Sequence, residues 1–155
     1  MAFPRIAVLR ALLVCSCVVA ACASAPKAPA ISATLSAAAD VNPDVNGRAS
    51  PIMVRVYELK TPATFEGSDF FSLFDKDRQI LAADLLARDE FVMRPGETRT
   101  IERSGNPDTR YLAVLAGYRD IEHSIWRAHT ALVVGDKNVL KIQIGARAVR
   151  ISAGK

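Results

Sequence analysis

From Ile31 the chain alternates apolar and polar positions, with Ile31, Ala33, Leu35 and Ala37 on one side and Ser32, Thr34 and Ser36 on the other. That period of two predicts a half-buried strand. The alternation stops over residues 40–50, where Pro43 and Gly47 stand among Asn and Asp residues that specify turns. At eleven residues this connection is long, since about two to five is usual for a hairpin loop. A second strand is predicted over residues 51–60. Ile52, Val54 and Val56 face one way, and Met53, Arg55, Tyr57 and Leu59 face the other. Pro51 can open it because its missing N–H need not join the ladder.

One helix is expected next, capped by Ser68 and carrying Asp69 at its positive end, with Phe70, Phe71, Leu73 and Phe74 clustered to plug one end of a sheet core. Further strands are predicted over residues 86–93 and 98–103, joined by a type II turn at Pro95-Gly96. Residues 110–118 are apolar on both faces, which marks a central strand. A strand over residues 123–134 should place Trp126, Ala128, Leu132 and Val134 on its core face. Leu140, Ile142 and Ile144 mark another, and Val149 to Ile151 a last short one. Short strands at this spacing predict an all-β, two-sheet sandwich with one short helix.

Ahead of this domain, Arg5 and Arg10 flank a nearly unbroken apolar run from Ile6 to Ala21. A basic lead, an apolar stretch and small residues at its end predict a secretory signal peptide. Val19-Ala20-Ala21-Cys22 resembles a bacterial lipobox. The resemblance implies cleavage before Cys22 and acylation of its sulfur and its new amine. Three acyl chains hold a protein to a membrane where one alone is marginal. Cys17 is a second, weaker candidate for lipidation. Ala23 stands where an Asp would, in many lipoproteins, retain the protein in the inner membrane, so the expected address is the periplasmic face of the outer membrane. Residues 23–30 are small and Pro-containing, an extended tether reaching roughly 25 Å and lifting the domain clear of the headgroups. The expected organisation is thus residues 1–21 as signal, 22–30 as lipidated Cys and tether, and 31–155 as the sandwich.

Removing the signal lowers the formal charge from +4 to +2 and leaves Cys22 as the only cysteine. No internal disulfide can form in the mature chain, and no basic run suggests nucleic acid. On one strand, His123 and His129 would share a face about 20 Å apart, too far for a common metal. Asp69, Asp75, Asp77, Asp84, Asp89 and Glu90 crowd one segment without Ca²⁺-loop spacing, and read as a solvated acidic edge. No nucleophile elbow, HExxH or phosphate-cradling Gly loop occurs. No cofactor, no metal and no catalytic residue is expected. A ligand- or peptidoglycan-binding lipoprotein, and an enzyme using the acidic segment or a His, remain the alternatives on the residues alone.

Several stretches, taken in order, resemble the TssJ family, outer-membrane lipoproteins of the bacterial type VI secretion system. They are Asn42-Pro43, Gly47-Arg48, the strand from Pro51 to Lys60, Asp69-Phe-Phe71, Asp84-Leu-Leu86, Pro95-Gly-Glu97 and the run from Tyr111 to Arg119. The resemblance implies a transthyretin-like sandwich without enzymatic activity. It also implies a partner, the periplasmic C-terminal domain of TssM, and through it the TssJ-TssL-TssM membrane complex. The implied contact is the loop between the first two strands, here Asp40, Val41, Asn42, Pro43, Asp44, Val45, Asn46, Gly47 and Arg48. Val41 or Val45 would supply apolar contact, and Asn42, Asp44 and Asn46 rim hydrogen bonds.

Overall fold

The computed structural model describes residues 27–154; the expected signal segment and Cys22 lie outside the described residues. In chain order the elements are β1 (Ala30–Ala37), β2 (Ile52–Leu59), α1 (Ala63–Gly67), α2 (Phe70–Leu81), β3 (Leu85–Met93), β4 (Thr98–Ser104), β5 (Tyr111–Gly117), β6 (Arg127–Ala131), β7 (Lys137–Ile144) and β8 (Val149–Ala153). Two four-stranded sheets result, ordered β4-β1-β7-β8 and β3-β2-β5-β6. β1 pairs antiparallel with β4 and parallel with β7. The alternation read in β1 is observed, for Ile31, Ala33, Leu35 and Ala37 are buried. They meet Val54, Val56, Leu112 and Val114 of the facing sheet, with Leu140, Ile142 and Ile144 of β7 beside them. This is the expected sandwich.

The helical segment sits elsewhere than expected. β2 and β5 bury both faces, and a strand apolar on both sides needs cover on both. The cover on the outer face is α1 and α2, whose Phe65, Phe70, Leu73 and Leu81 close a second core over Tyr57, Leu59, Ala113 and Leu115. The helices therefore form a layer on the second sheet and do not plug its end. Asp69 rather than Ser68 caps α2, its Oδ1 accepting the Ser72 N–H at 3.0 Å. The Ser68 hydroxyl instead donates to Thr64 O at 2.7 Å, at the end of α1. Phe71 lies about 100° around the helix from Phe70 and points outward, 66% exposed.

The acidic segment is a solvated edge only in part: Asp69 and Asp75 are exposed, but the others are paired within the fold. Asp77, on the buried face of α2, lies 3.1 Å from Arg55 Nη1 and 2.6 Å from Arg88 Nε and accepts the Tyr57 hydroxyl at 3.0 Å. Glu90 completes the group, 2.6 Å from Arg55 Nε. Asp89 pairs with Arg103, and Asp84 accepts from Thr64. One arginine in each of β2 and β3, Arg55 and Arg88, was the overlooked signal. At Lys76 the backbone of α2 leaves helical geometry (φ −136°, ψ 31°). There the Arg78 N–H bonds to Asp77 Oδ1 at 2.7 Å, and Arg55 donates to Phe74 O at 2.7 Å. The ion cluster satisfies backbone groups that the kink sets free.

β6 is shorter than expected, because the chain before Arg127 is a loop. His123 lies in that loop with Nδ1 2.7 Å from Asp120 Oδ1, whereas His129 lies on β6 with Nε2 3.1 Å from Glu66 Oε1. The two do not share a strand. Trp126 packs edge-on against Phe70 at 5.3 Å, where the two cores meet. Val134 is not on the core face; it lies in the β6–β7 turn, 40% exposed. At the other boundary, Pro29 and Ala30, placed at the end of the expected tether, already bond to the fold.

Burial alone would raise the Asp77 carboxyl, but hydrogen bonds from Arg88 and Tyr57 and the charges of Arg55 and Arg88 hold it below the usual carboxylate value. A depressed folded-state value stabilises the fold above the unfolded-state value of about 3.9, and this is lost as pH falls through the lower one. Asp77→Ala should cost about 3 kcal/mol, because it strands Arg55 and Arg88. In urea titrations from pH 6 down to 3, the parent chain should lose stability more steeply below about pH 4 than Asp77→Asn does. Equal slopes would show that Asp77 does not carry this acid sensitivity.

Candidate functional site

The antiparallel and parallel pairings sort the loops to two ends. One end collects residues 38–51, the β3–β4 turn, the β5–β6 loop and the β7–β8 turn. The long β1–β2 loop is a braced structure. Val41 is fully buried in the sandwich core. Asn42, 4% exposed, adopts a left-handed backbone at φ 50°, a region that Asn tolerates better than most residues. Its N–H donates to Ala146 O at 3.2 Å and its amide to Pro51 O at 2.9 Å, while its Oδ1 accepts the Arg119 N–H at 2.8 Å. One side chain thus ties the loop to β2 and to the β5–β6 loop.

Beyond Asn42 the tip is organised by Asp44. Its Oδ1 accepts the N–H groups of Asn46 (2.8 Å) and Arg48 (3.0 Å), and its Oδ2 accepts Arg48 Nε at 2.8 Å. These bonds, foremost the Arg48 N–H, hold the Asp44 carboxyl below the usual range. The Gly47 N–H closes a turn onto Asp44 O, and Gly47 supplies the φ of 77° that this turn requires. Val45 is left at the apex, 101% exposed, and Asp40 and Asn46 are also exposed.

The structure therefore divides the nine expected residues. Val41 and Asn42 are occupied inside the fold, and the Asp44 carboxylate is taken up within the loop. Val45, Asn46, Gly47 and Arg48 present the free surface. Sequence reasoning missed what faces them. Arg119, Asp120 and Arg147 line a concavity together with residues 43–48. Asp120 holds His123 and lies 3.6 Å from Arg147 Nε. Arg119 has no carboxylate partner among the described residues. Arg119 lay within a stretch that carried the resemblance, but nothing in the chain announces that Arg147 joins it. Among the described residues no group of three His, Cys, Asp or Glu side chains could hold a metal, and no helix is long and apolar enough to cross a membrane.

The sequence profile of the type VI secretion lipoprotein family (VasD, EvfM, TssJ) matches residues 29–147, from the entry of β1 to the turn that carries Arg147. The chain belongs to that family. The TssJ family is a structural, non-enzymatic component of its secretion system. The fold is similar to the crystal structure of the T6SS lipoprotein TssJ1 from Pseudomonas aeruginosa, with 38% identity, a TM-score of 0.80, and 83% of this chain and 98% of that one covered. It is similar as well to Serratia marcescens Lip, a membrane-bound component of the type VI secretion system. Identity there is 27%, the TM-score 0.74, and coverage 81% of this chain and 98% of that one. A chain in the structure of the T6SS protein TssM C-terminal domain from EAEC shares the fold at 18% identity and a TM-score of 0.66, covering 81% of this chain and 98% of that one. Comparison with curated protein sequences gives no match.

Within this TssJ-family fold, Asn42→Ala should destabilise by about 3 kcal/mol. The cost combines stranded backbone groups at Arg119 and Pro51 with a left-handed backbone that Ala adopts poorly. Asn42→Gly relieves only the backbone part and should fall between the two in urea denaturation. If Ala and Gly cost the same, the left-handed conformation contributes nothing.

Proposed function

We propose that the mature protein is a lipid-anchored adaptor. Cys22 holds it in the outer membrane facing the periplasm, and the β1–β2 loop grips the periplasmic C-terminal domain of TssM, linking that membrane to the TssJ-TssL-TssM complex. The observation that carries this reading is the tip of the loop, where an exposed apolar side chain is mounted on a rigid support. Val45 stands clear of the fold while Asn42 and Asp44 hold the backbone beneath it. Such preorganisation lowers the ordering cost of binding. Beside Val45, Arg48 and Arg147 are offset by Asp44 and Asp120, and Arg119 leaves the surface with one positive charge in excess, which suits a partner segment carrying an apolar side chain beside a carboxylate. The family membership supports the secretion-system context, and the membrane-bound Serratia marcescens relative supports the anchor.

Binding of the soluble mature chain to the TssM C-terminal domain of the same genome tests the loop. Val45→Asp, an exposed change that should leave folding intact, is expected to weaken binding by about thirtyfold, the loss of a hot-spot contact of roughly 2 kcal/mol. Asn46→Ala should change it little. Unchanged affinity in Val45→Asp would move the interface elsewhere. For the anchor, Cys22→Ser should release the protein from outer-membrane fractions and abolish secretion. Retention of both would end the lipid-adaptor reading.

A further inference from the structure

The end of the sandwich opposite the β1–β2 loop carries its own apolar surface. Here β1 and β7 begin, β6 and β8 end, and the chain enters the fold. Val133 is 62% exposed, Val134 40% and Val139 37%. Val133 and Val134 are the tip of the β6–β7 turn, and this turn is fixed. Asn138, buried beneath it, accepts the Val133 N–H at 2.7 Å and donates to Val133 O at 2.9 Å. The Asp136 carbonyl accepts the Ala30 N–H at 2.9 Å, which joins the turn to the first residue of β1.

The entering chain lies against the same turn. Pro29 is buried, with its carbonyl accepting the Gly105 N–H at 2.8 Å. The stem of Lys27 lies over Gly135, so close that a side chain at Gly135 would meet it at 3.3 Å. The chain is thus already docked at Lys27, and only five peptide steps separate that residue from Cys22. Fully extended, five residues span at most about 18 Å. That is shorter than the tether expected from composition, and it leads from the valine tip. The exposed Lys27 and Lys137 flank the tip, and the Asp136 carboxylate accepts the Lys137 N–H.

We propose that this end rests on the membrane that holds the acyl chains. Val133 and Val134 enter the boundary between headgroups and acyl chains, with Val139 at the rim, and Lys27 and Lys137 meet anionic headgroups. The inference rests on lipidation at Cys22. Two or three valines bind a bilayer weakly by themselves, and the tether makes the contact intramolecular, so a high effective concentration replaces affinity. Lysines near an anionic surface add attraction of the same sense. The anchor and the apolar tip then act as two signals on one face, and the β1–β2 loop is held at the far end.

The test uses the acylated protein in vesicles of phosphatidylethanolamine and phosphatidylglycerol. Cys22 is blocked by its lipid, so Val134→Cys supplies a unique site for an environment-sensitive dye. With brominated acyl chains, the dye at position 134 should lose most of its emission, whereas a dye introduced by Val45→Cys should keep it. Val133→Asp with Val134→Asp should still float with vesicles but lose the quenching of a dye introduced by Val139→Cys. All these sites are exposed, and an unchanged far-ultraviolet spectrum checks the fold. Flotation without quenching at position 134 overturns the proposal and leaves the anchor intact. Failure of the parent chain to float overturns the anchor reading, and this proposal with it.

Discussion

Two strands that bury both faces set the plan of the molecule. β2 and β5 stand at the centre of their sheet, with Val54, Val56, Leu112 and Val114 turned into the sandwich and Tyr57, Leu59, Ala113 and Leu115 turned away from it. Apolar surface on the outer face has to leave water, and the segment between β2 and β3 folds back to cover it. The third layer is thus a consequence of strand composition. Arg55 shows the cost of running a charge through such a strand. It is buried, and it is stable there because Asp77, Glu90 and the carbonyls of Leu73 and Phe74 surround it. The same cluster tolerates the kink at Lys76, so charge compensation and helix shape are one arrangement.

Strand positions and the sandwich were legible because the period of two is strong in β1 and β7, where alternate side chains decide burial. The helical layer was not, even though residues 110–118 read as apolar on both faces. A second apolar face says only that something covers it, and the covering segment is identified by three-dimensional proximity. The short β6 was overestimated for a related reason. Ile125 and Trp126 have strand-like character, but the chain there crosses between the sheets, making a single parallel bridge from Ile125 to Ala148. The acidic segment misled because Asp77 and Glu90 look as solvated as Asp69 and Asp75 until their arginine partners on β2 and β3 are known.

The β1–β2 loop divided along the same line. Its length and turn residues marked it, but the distinction between residues that build the loop and residues that present it is tertiary. Asn42 bonds to Arg119 across 77 positions of sequence, and such a link leaves no local pattern. Asp44 and Arg48, four residues apart, form a unit that spacing could have suggested. Its effect is to withdraw from solvent a carboxylate that would otherwise count as part of a binding surface.

β1 starts where the chain enters the fold at one end and leads directly into the β1–β2 loop at the other, with β4 and β7 paired along its two sides. A pull between the entry point and that loop would act along the axis of this strand. Its ladder bonds on both sides would then be strained together in shear rather than parted one at a time. Tension would thus be shared across the sheet, and the chain would resist stretching most along the line that joins its two ends.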